Sequence, residues 1–136
     1  MDVPPAILDR IRSTSLALPE SYEEPAWIGV RWRVRRRTFA HVFTVEPGST
    51  SVLGDAFDVD EEPTALTFRV PADELLALRE AGEPFHYAGW GRDVMAMLLD
   101  RRTDWTEVAE LLTESYCLLA PQMLVARVDR PSDPTA

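Results

Sequence analysis

Two strictly alternating stretches on either side of a short basic turn constrain this chain more than anything else in it. Arg31-Trp32-Arg33-Val34-Arg35 puts three arginines on one side and Trp32 with Val34 on the other. Thr38 to Val45 alternates again, with Phe39, His41, Phe43 and Val45 facing one way. Period-two alternation sends successive side chains to opposite faces of a strand, so the pattern belongs to a sheet and not to a helix. It predicts a β-hairpin with Arg36 and Arg37 in the turn.

Further strands and helices follow from the same reasoning. Leu66, Phe68 and Val70 alternate with Thr67 and Arg69, a third strand, and Phe85-His86-Tyr87 reads as a short edge strand. Val94 to Leu99 is apolar at every position, which suits a central strand buried on both faces. A first helix opens at Pro5, where a missing N–H is tolerated, carries Ile7, Leu8, Ile11 and Leu18 at helical spacing, and stops at Leu18-Pro19. A second opens at Pro71 with Asp73 and Glu74 in its first turn, buries Leu75, Leu76 and Leu78, and ends at Gly82. Asp104 to Glu107 reads as a capping box for a third helix with Val108, Leu111, Leu112, Ser115 and Leu119 on its buried stripe; Pro121 breaks it, and Gln122 to Val128 adds a final turn or two. Glu20 to Gly29 is acidic and aromatic, and Pro25 and Gly29 there argue against regular structure. Glu46 to Pro63 is a long acidic connection rich in turn residues.

The resulting order is α-β-β-β-α-β-β-α, three amphipathic helices packed on one antiparallel sheet in a two-layer α+β domain. At 136 residues the chain suits one domain, here residues 1–128, with a C-terminal tail at 129–136 that has nothing to bury and is expected to be disordered. No apolar run is long enough to cross a membrane, the N-terminal residues do not resemble a secretory signal, and the single cysteine, Cys117, excludes an intrachain disulfide. A cytoplasmic location is the expectation.

Charge is unevenly distributed. There are 14 basic residues against 23 acidic, net charge −9, and every basic residue is an arginine. Five of the arginines are Arg31, Arg33, Arg35, Arg36 and Arg37, so a basic hairpin stands out on an acidic body. A planar guanidinium matches phosphate geometry, and three arginines on one strand face span about 13 Å at about 3.3 Å per residue. The other reading is a solvated face whose arginines pair with Glu20, Glu23, Glu24 or the acidic connection, and the overall acidity favours it.

Catalytic and metal-binding patterns are thin. His41 alternates with Phe39 and Phe43 and reads as a semi-buried, hydrogen-bonded histidine, and Cys117 reads as a small buried hydrophobe within the third helix. No nucleophile elbow, phosphate-cradling glycine loop or zinc-protease motif occurs. Asp55, Asp58, Asp60 and Glu62 are calcium-ligand types without the EF-hand spacing. The expectation is no enzyme, no cofactor and no metal. Tyr22, Trp27, His86 and Trp90 lie in or beside irregular segments, where they either cap the ends of the core or line a groove for a base, peptide or small ligand.

Several stretches in sequence order resemble the YjbR/MmcQ family of small bacterial proteins: Leu18-Pro-Glu20, Glu24-Pro-Ala-Trp27, Trp32-Arg-Val34, Thr38-Phe-Ala-His-Val-Phe43, Leu66-Thr-Phe-Arg-Val-Pro71, Gly89-Trp90, Asp104-Trp105, Leu111-Leu-Thr-Glu-Ser-Tyr116 and Leu119-Ala-Pro121. The resemblance implies a secretion-chaperone-like α-β-β-β-α-β-β-α fold and a DNA-binding role, and it brings no catalytic residue set. The chain departs from that family in its Arg35-Arg36-Arg37 turn and in the length and acidity of the Glu46–Pro63 connection. Two functions follow as expectations. In the first, a non-enzymatic module binds DNA with Arg31, Arg33 and Arg35 on phosphates, Arg36 and Arg37 at the turn, and Arg92 or Trp90 clamping nearby. In the second, the partner is a protein, a peptide or a second copy of the chain, with no nucleic acid or membrane involved.

Overall fold

The computed structural model describes residues 3–45, 63–87, 89, 91 and 93–128. The acidic connection up to residue 62, the C-terminal tail from 129, Trp90 and Arg92 lie outside the described residues. In chain order the elements are α1 (Pro5–Ser15), β1 (Tyr22–Pro25), β2 (Val30–Val34), β3 (Arg37–Thr44), β4 (Thr64–Arg69), α2 (Ala72–Ala81), β5 (Phe85–His86), β6 (Val94–Leu99), α3 (Trp105–Leu119) and α4 (Gln122–Val125). The six strands form one antiparallel sheet in the order β1-β2-β3-β4-β6-β5. This is the two-layer α+β arrangement, with one strand more than the alternation patterns indicate.

The additional strand is β1, in the stretch where Pro25 and Gly29 argue against regular structure. Pro25 is tolerated because it ends an edge strand, where no ladder bond needs its N–H. Gly29 has φ +75° and lets the β1–β2 turn lie against β3, since a Cβ there would fall 1.9 Å from the Val42 carbonyl oxygen. Thus the same two residues that disfavour structure locally close a hairpin once a neighbouring strand is present. On α1 the helix ends at Ser15, three residues before Leu18, yet Leu18 still packs into the core.

A β-bulge in β3 corrects the predicted facing of its side chains. Trp32 lies opposite Ala40 while Arg33 lies opposite Thr38, so Phe39 is the extra residue. Two residues against one reverses the alternation beyond that point. Phe39, Ala40 and Val42 therefore join Trp32, Val34, Leu66, Phe68, Met95 and Met97 in the core beneath the helices. His41, instead of sharing a face with Phe39, turns to the opposite side, where Phe43, Val45, Ala65 and Ala96 form a separate small cluster. Val94–Leu99 is indeed central, paired with both β4 and β5.

Helix α3 closes the core. Asp104 caps it, its carboxylate accepting from the N–H groups of Thr106 and Glu107. Val108, Leu112, Ser115, Tyr116 and Leu119 are buried. Tyr116, which the apolar spacing omits, packs edge-on against Phe39 at 5.5 Å and donates its hydroxyl hydrogen to the Pro19 carbonyl at 2.6 Å. The buried Ser115 hydroxyl donates to the Phe39 carbonyl (2.6 Å) and accepts from the Arg69 N–H (2.7 Å). Replacing Ser115 with alanine leaves the bulge carbonyl of Phe39 and the Arg69 N–H at the end of β4 without that partner under a helix, and the expected loss is about 1–3 kcal/mol per unsatisfied group in urea unfolding. An unchanged midpoint would show that neither bond contributes.

Candidate functional site

The predicted arginine face is real in part and occupied in part. Arg31 and Arg33 stand on the sheet face away from the helices, beside each other across from β1. Both reach the same oxygen of Glu24: the Arg31 Nε at 2.6 Å and the Arg33 Nη1 at 3.0 Å. Arg35 does not continue the face. Val34 pairs with Arg37, so the two-residue turn is Arg35-Arg36, and Arg37 begins β3. Arg35 is instead held by both carboxylate oxygens of Glu20, at 3.1 Å and 3.4 Å. Pairing with Glu20 and Glu24, the alternative left open by the sequence, is thus what the structure contains for these three arginines. On the helix side Glu23 takes Arg12 bidentately (2.8 and 3.0 Å) and the Trp32 Nε1–H (3.0 Å). The Arg12 bond holds the Glu23 carboxyl below its ordinary range, with burial opposing.

The turn itself is unusual. Arg35 and Arg36 have φ +50° and +65°, the left-handed pair of a type I′ hairpin, a geometry that favours Asn-Gly. The Arg33 Nη2 donates to the Arg36 carbonyl and braces it. Arg36 and Arg37 are exposed, and neither guanidinium has a hydrogen bond or ion pair among the described residues.

Of the four residues considered for a groove, Trp90 lies outside the described residues and the other three are not gathered in one. Tyr22 is on β1 and His86 on β5, the two outer strands of the sheet, five strand spacings or about 24 Å apart. Trp27 sits at the tip of the β1–β2 turn with its side chain fully exposed, next to the exposed Ile28. The alternation and turn signals that place these residues locally carry no information on strand order, which is what separates them.

His41 stands at the centre of the open sheet face, between Arg31 on β2 and Thr67 on β4. Its Nε2 donates to the Ile28 carbonyl at 2.5 Å, so the neutral ring carries its hydrogen there and presents Nδ1 as an acceptor. Burial lowers its pKa, and nearby Arg31 lowers it further, against the Ile28 bond. Beside it, the bulge leaves a recess of about 160 Å³ lined by Thr38, His41, Thr67, Arg69 and Val94. Arg69 pairs with Asp93 at 2.9 Å. Among the described residues no group of three or more His, Cys, Asp or Glu side chains could hold a metal ion, and no helix is long and apolar enough to cross a membrane.

An antiparallel six-stranded sheet under α3, whose other face carries the arginine row, His41 and a small apolar cluster, defines the class of protein. The YjbR family profile matches residues 16–118, and the chain belongs to that family. Two crystal structures share the fold. A protein from Pseudomonas syringae is 12% identical, with a TM-score of 0.64 over 87% of this chain and 100% of that one. The Deinococcus radiodurans protein DR2400, with its DUF419 domain, is 20% identical, with a TM-score of 0.62 over 95% of this chain and 92% of that one. No curated protein matches the chain.

The His41 geometry has a pH consequence. A histidine whose folded pKa lies below its unfolded value near 6.5 binds fewer protons when folded, so its contribution is complete above that value and is lost as pH falls from there through the folded pKa. The unfolding free energy is expected to decline as pH falls below about 6.5, and the part of the decline due to His41 should be absent in His41→Gln. Equal pH slopes in the two proteins would remove His41 as the cause.

Proposed function

We propose that this YjbR-family chain is a non-enzymatic binding module that takes the phosphate backbone of DNA at the β2–β3 turn. The observation that carries this reading is the exposed, unengaged pair Arg36 and Arg37, projecting from a braced turn. Around them the sheet end is locally basic among the described residues, where Arg31, Arg33, Arg35 and Arg69 are matched by Glu20, Glu24 and Asp93. Much of the acidity lies elsewhere, as on α3 with Glu107, Glu110 and Glu114. A role without chemistry of its own accords with the polar groups most suited to catalysis being engaged in the fold: the His41 Nε2 on Ile28, the Ser115 hydroxyl on Phe39 and Arg69, the Tyr116 hydroxyl on Pro19.

The ion pairs change the expected strength of the electrostatics. Five arginines on phosphates would give a slope of log affinity against log salt near −4.5, at about −0.9 per contact on duplex DNA, whereas two unengaged arginines give about −1.8. Fluorescence anisotropy with labelled duplex and single-stranded DNA at several salt concentrations measures this directly. The double variant Arg36→Gly/Arg37→Ala should abolish the slope without lowering Tm, because glycine relieves the left-handed strain at position 36. A slope near zero in the parent protein, or binding untouched in the variant, would discard the reading.

A second reading, a protein or self-association surface, is favoured by Trp27. A fully exposed tryptophan flanked by an exposed isoleucine is the kind of side chain that anchors protein interfaces. Size-exclusion chromatography with light scattering should then show a dimer that Trp27→Ala dissociates, with Tm of the monomeric variant unchanged because the ring touches nothing it stabilises. A monomer at all accessible concentrations excludes self-association.

A further inference from the structure

The bulge in β3 does more than reassign side chains to the core. Phe39 and Ala40 both turn toward the helices, so on the open face two successive positions contribute only backbone between Thr38 and His41. Bulges recur beside binding and active sites because they re-aim side chains in this way. The gap they leave is the recess of about 160 Å³, well above the roughly 10–15 Å³ one water molecule needs.

Its walls are specific. Thr67 is 5% exposed, Thr38 is half-buried, and neither hydroxyl has a hydrogen bond to a described residue. Arg69 spans one end, its Nη1 on Asp93 and its Nε 3.4 Å from the Thr38 carbonyl. Arg33 lies opposite Thr38 on the neighbouring strand, outside the residues that line the recess. Among the described residues on this side of the sheet, Arg31, Arg33 and Arg69 pair with Glu24 and Asp93, which leaves one positive charge in excess. His41 supplies an acceptor rather than a donor, because its one N–H is given to Ile28.

We propose that this recess is a binding site for a small oxyanion that also carries a hydroxyl hydrogen, the chemistry shared by monohydrogen phosphate and by short hydroxycarboxylates. The threonine hydroxyls and the Arg69 guanidinium donate to the oxyanion, and the ligand hydroxyl donates to the His41 Nδ1. The site stands apart from the exposed Arg36 and Arg37, and its occupancy does not require nucleic acid to bind at the turn.

Backbone amide NMR titration at constant ionic strength, about one unit above the ordinary histidine pKa so that His41 is neutral, tests it. Inorganic phosphate is compared with sulfate, which has the same shape but no hydroxyl hydrogen, and glycolate with acetate. The expected result is saturable shifts at Thr38, His41, Thr67 and Arg69, with phosphate or glycolate at least tenfold tighter than its counterpart. The arm that saturates first identifies the ligand as phosphate or hydroxycarboxylate. Thr67→Val, close to isosteric and compatible with a strand, should weaken binding about tenfold, as should Thr38→Val if the first variant is poorly folded. Arg36→Gly/Arg37→Ala should leave it intact. Non-saturating shifts, shifts confined to residues 35–37, equal affinity for phosphate and sulfate together with equal affinity for glycolate and acetate, or indifference to both threonine variants would overturn the site.

Discussion

The hydroxyl of Ser115 is the contact on which the rest of the sheet depends. A bulge leaves one residue without its ladder partners, and a backbone carbonyl buried under a helix needs a donor. Ser115 provides it at Phe39 and, through its own lone pair, takes the N–H of Arg69 where β4 ends. One side chain on α3 therefore fixes both the helix position over the sheet and the register of the two central strands. Once Phe39 is held in that bulge, its ring lies under Tyr116, whose hydroxyl in turn ties down the Pro19 carbonyl between α1 and β1. The core is assembled around an irregularity.

The second organising element is the edge strand β1, which sets the charge of the neighbouring β2 row. Tyr22–Pro25 presents Glu23 to the core side and Glu24 to the outer side, as strand alternation requires. Glu23 engages Arg12 and Trp32 beneath the sheet, and Glu24 gathers Arg31 and Arg33 above it. Without β1 the β2 arginines would form a free cationic strip; with it they are a partly compensated row whose geometry is fixed. Carboxylates on an exposed edge also discourage pairing with another chain, a common protection for edge strands.

Much of this was legible from sequence, and the parts that were not share a cause. Strand alternation found β2, β3 and β4, an unbroken apolar run found β6, helical spacing found the helices, and Asp104 marked its cap, because each signal lies within a few residues of the element it reports. The bulge at Phe39 is invisible to alternation, since its partner, Ser115, is 76 positions away. β1 was hidden because a four-residue edge strand ending in proline has no local pattern of its own and forms only against β2. The grouping of Tyr22 with His86 failed for the same reason: strand order is a property of the assembled sheet. The arginines were found by composition, whereas which of them are engaged follows from where the glutamates of β1 fall.

Arg33 links these features and explains how the turn tolerates its residues. Two non-glycine residues in left-handed conformation cost roughly 1–2 kcal/mol each, and nothing in Arg35-Arg36 itself offsets that. The compensation comes from the strand behind: Arg33 spends one nitrogen on Glu24 and another on the Arg36 carbonyl, while Glu20 clamps Arg35. The turn is thereby braced by the charged row on β1 and β2 rather than by its own sequence. It follows that the exposure of Arg36 and Arg37 depends on Glu24 and Arg33 remaining in place. Removing either would release the turn from its left-handed geometry and redirect the two arginines, even though neither lies at the tip. The surface that meets a partner and the ion pairs that appear merely to neutralise it are in this sense one structure.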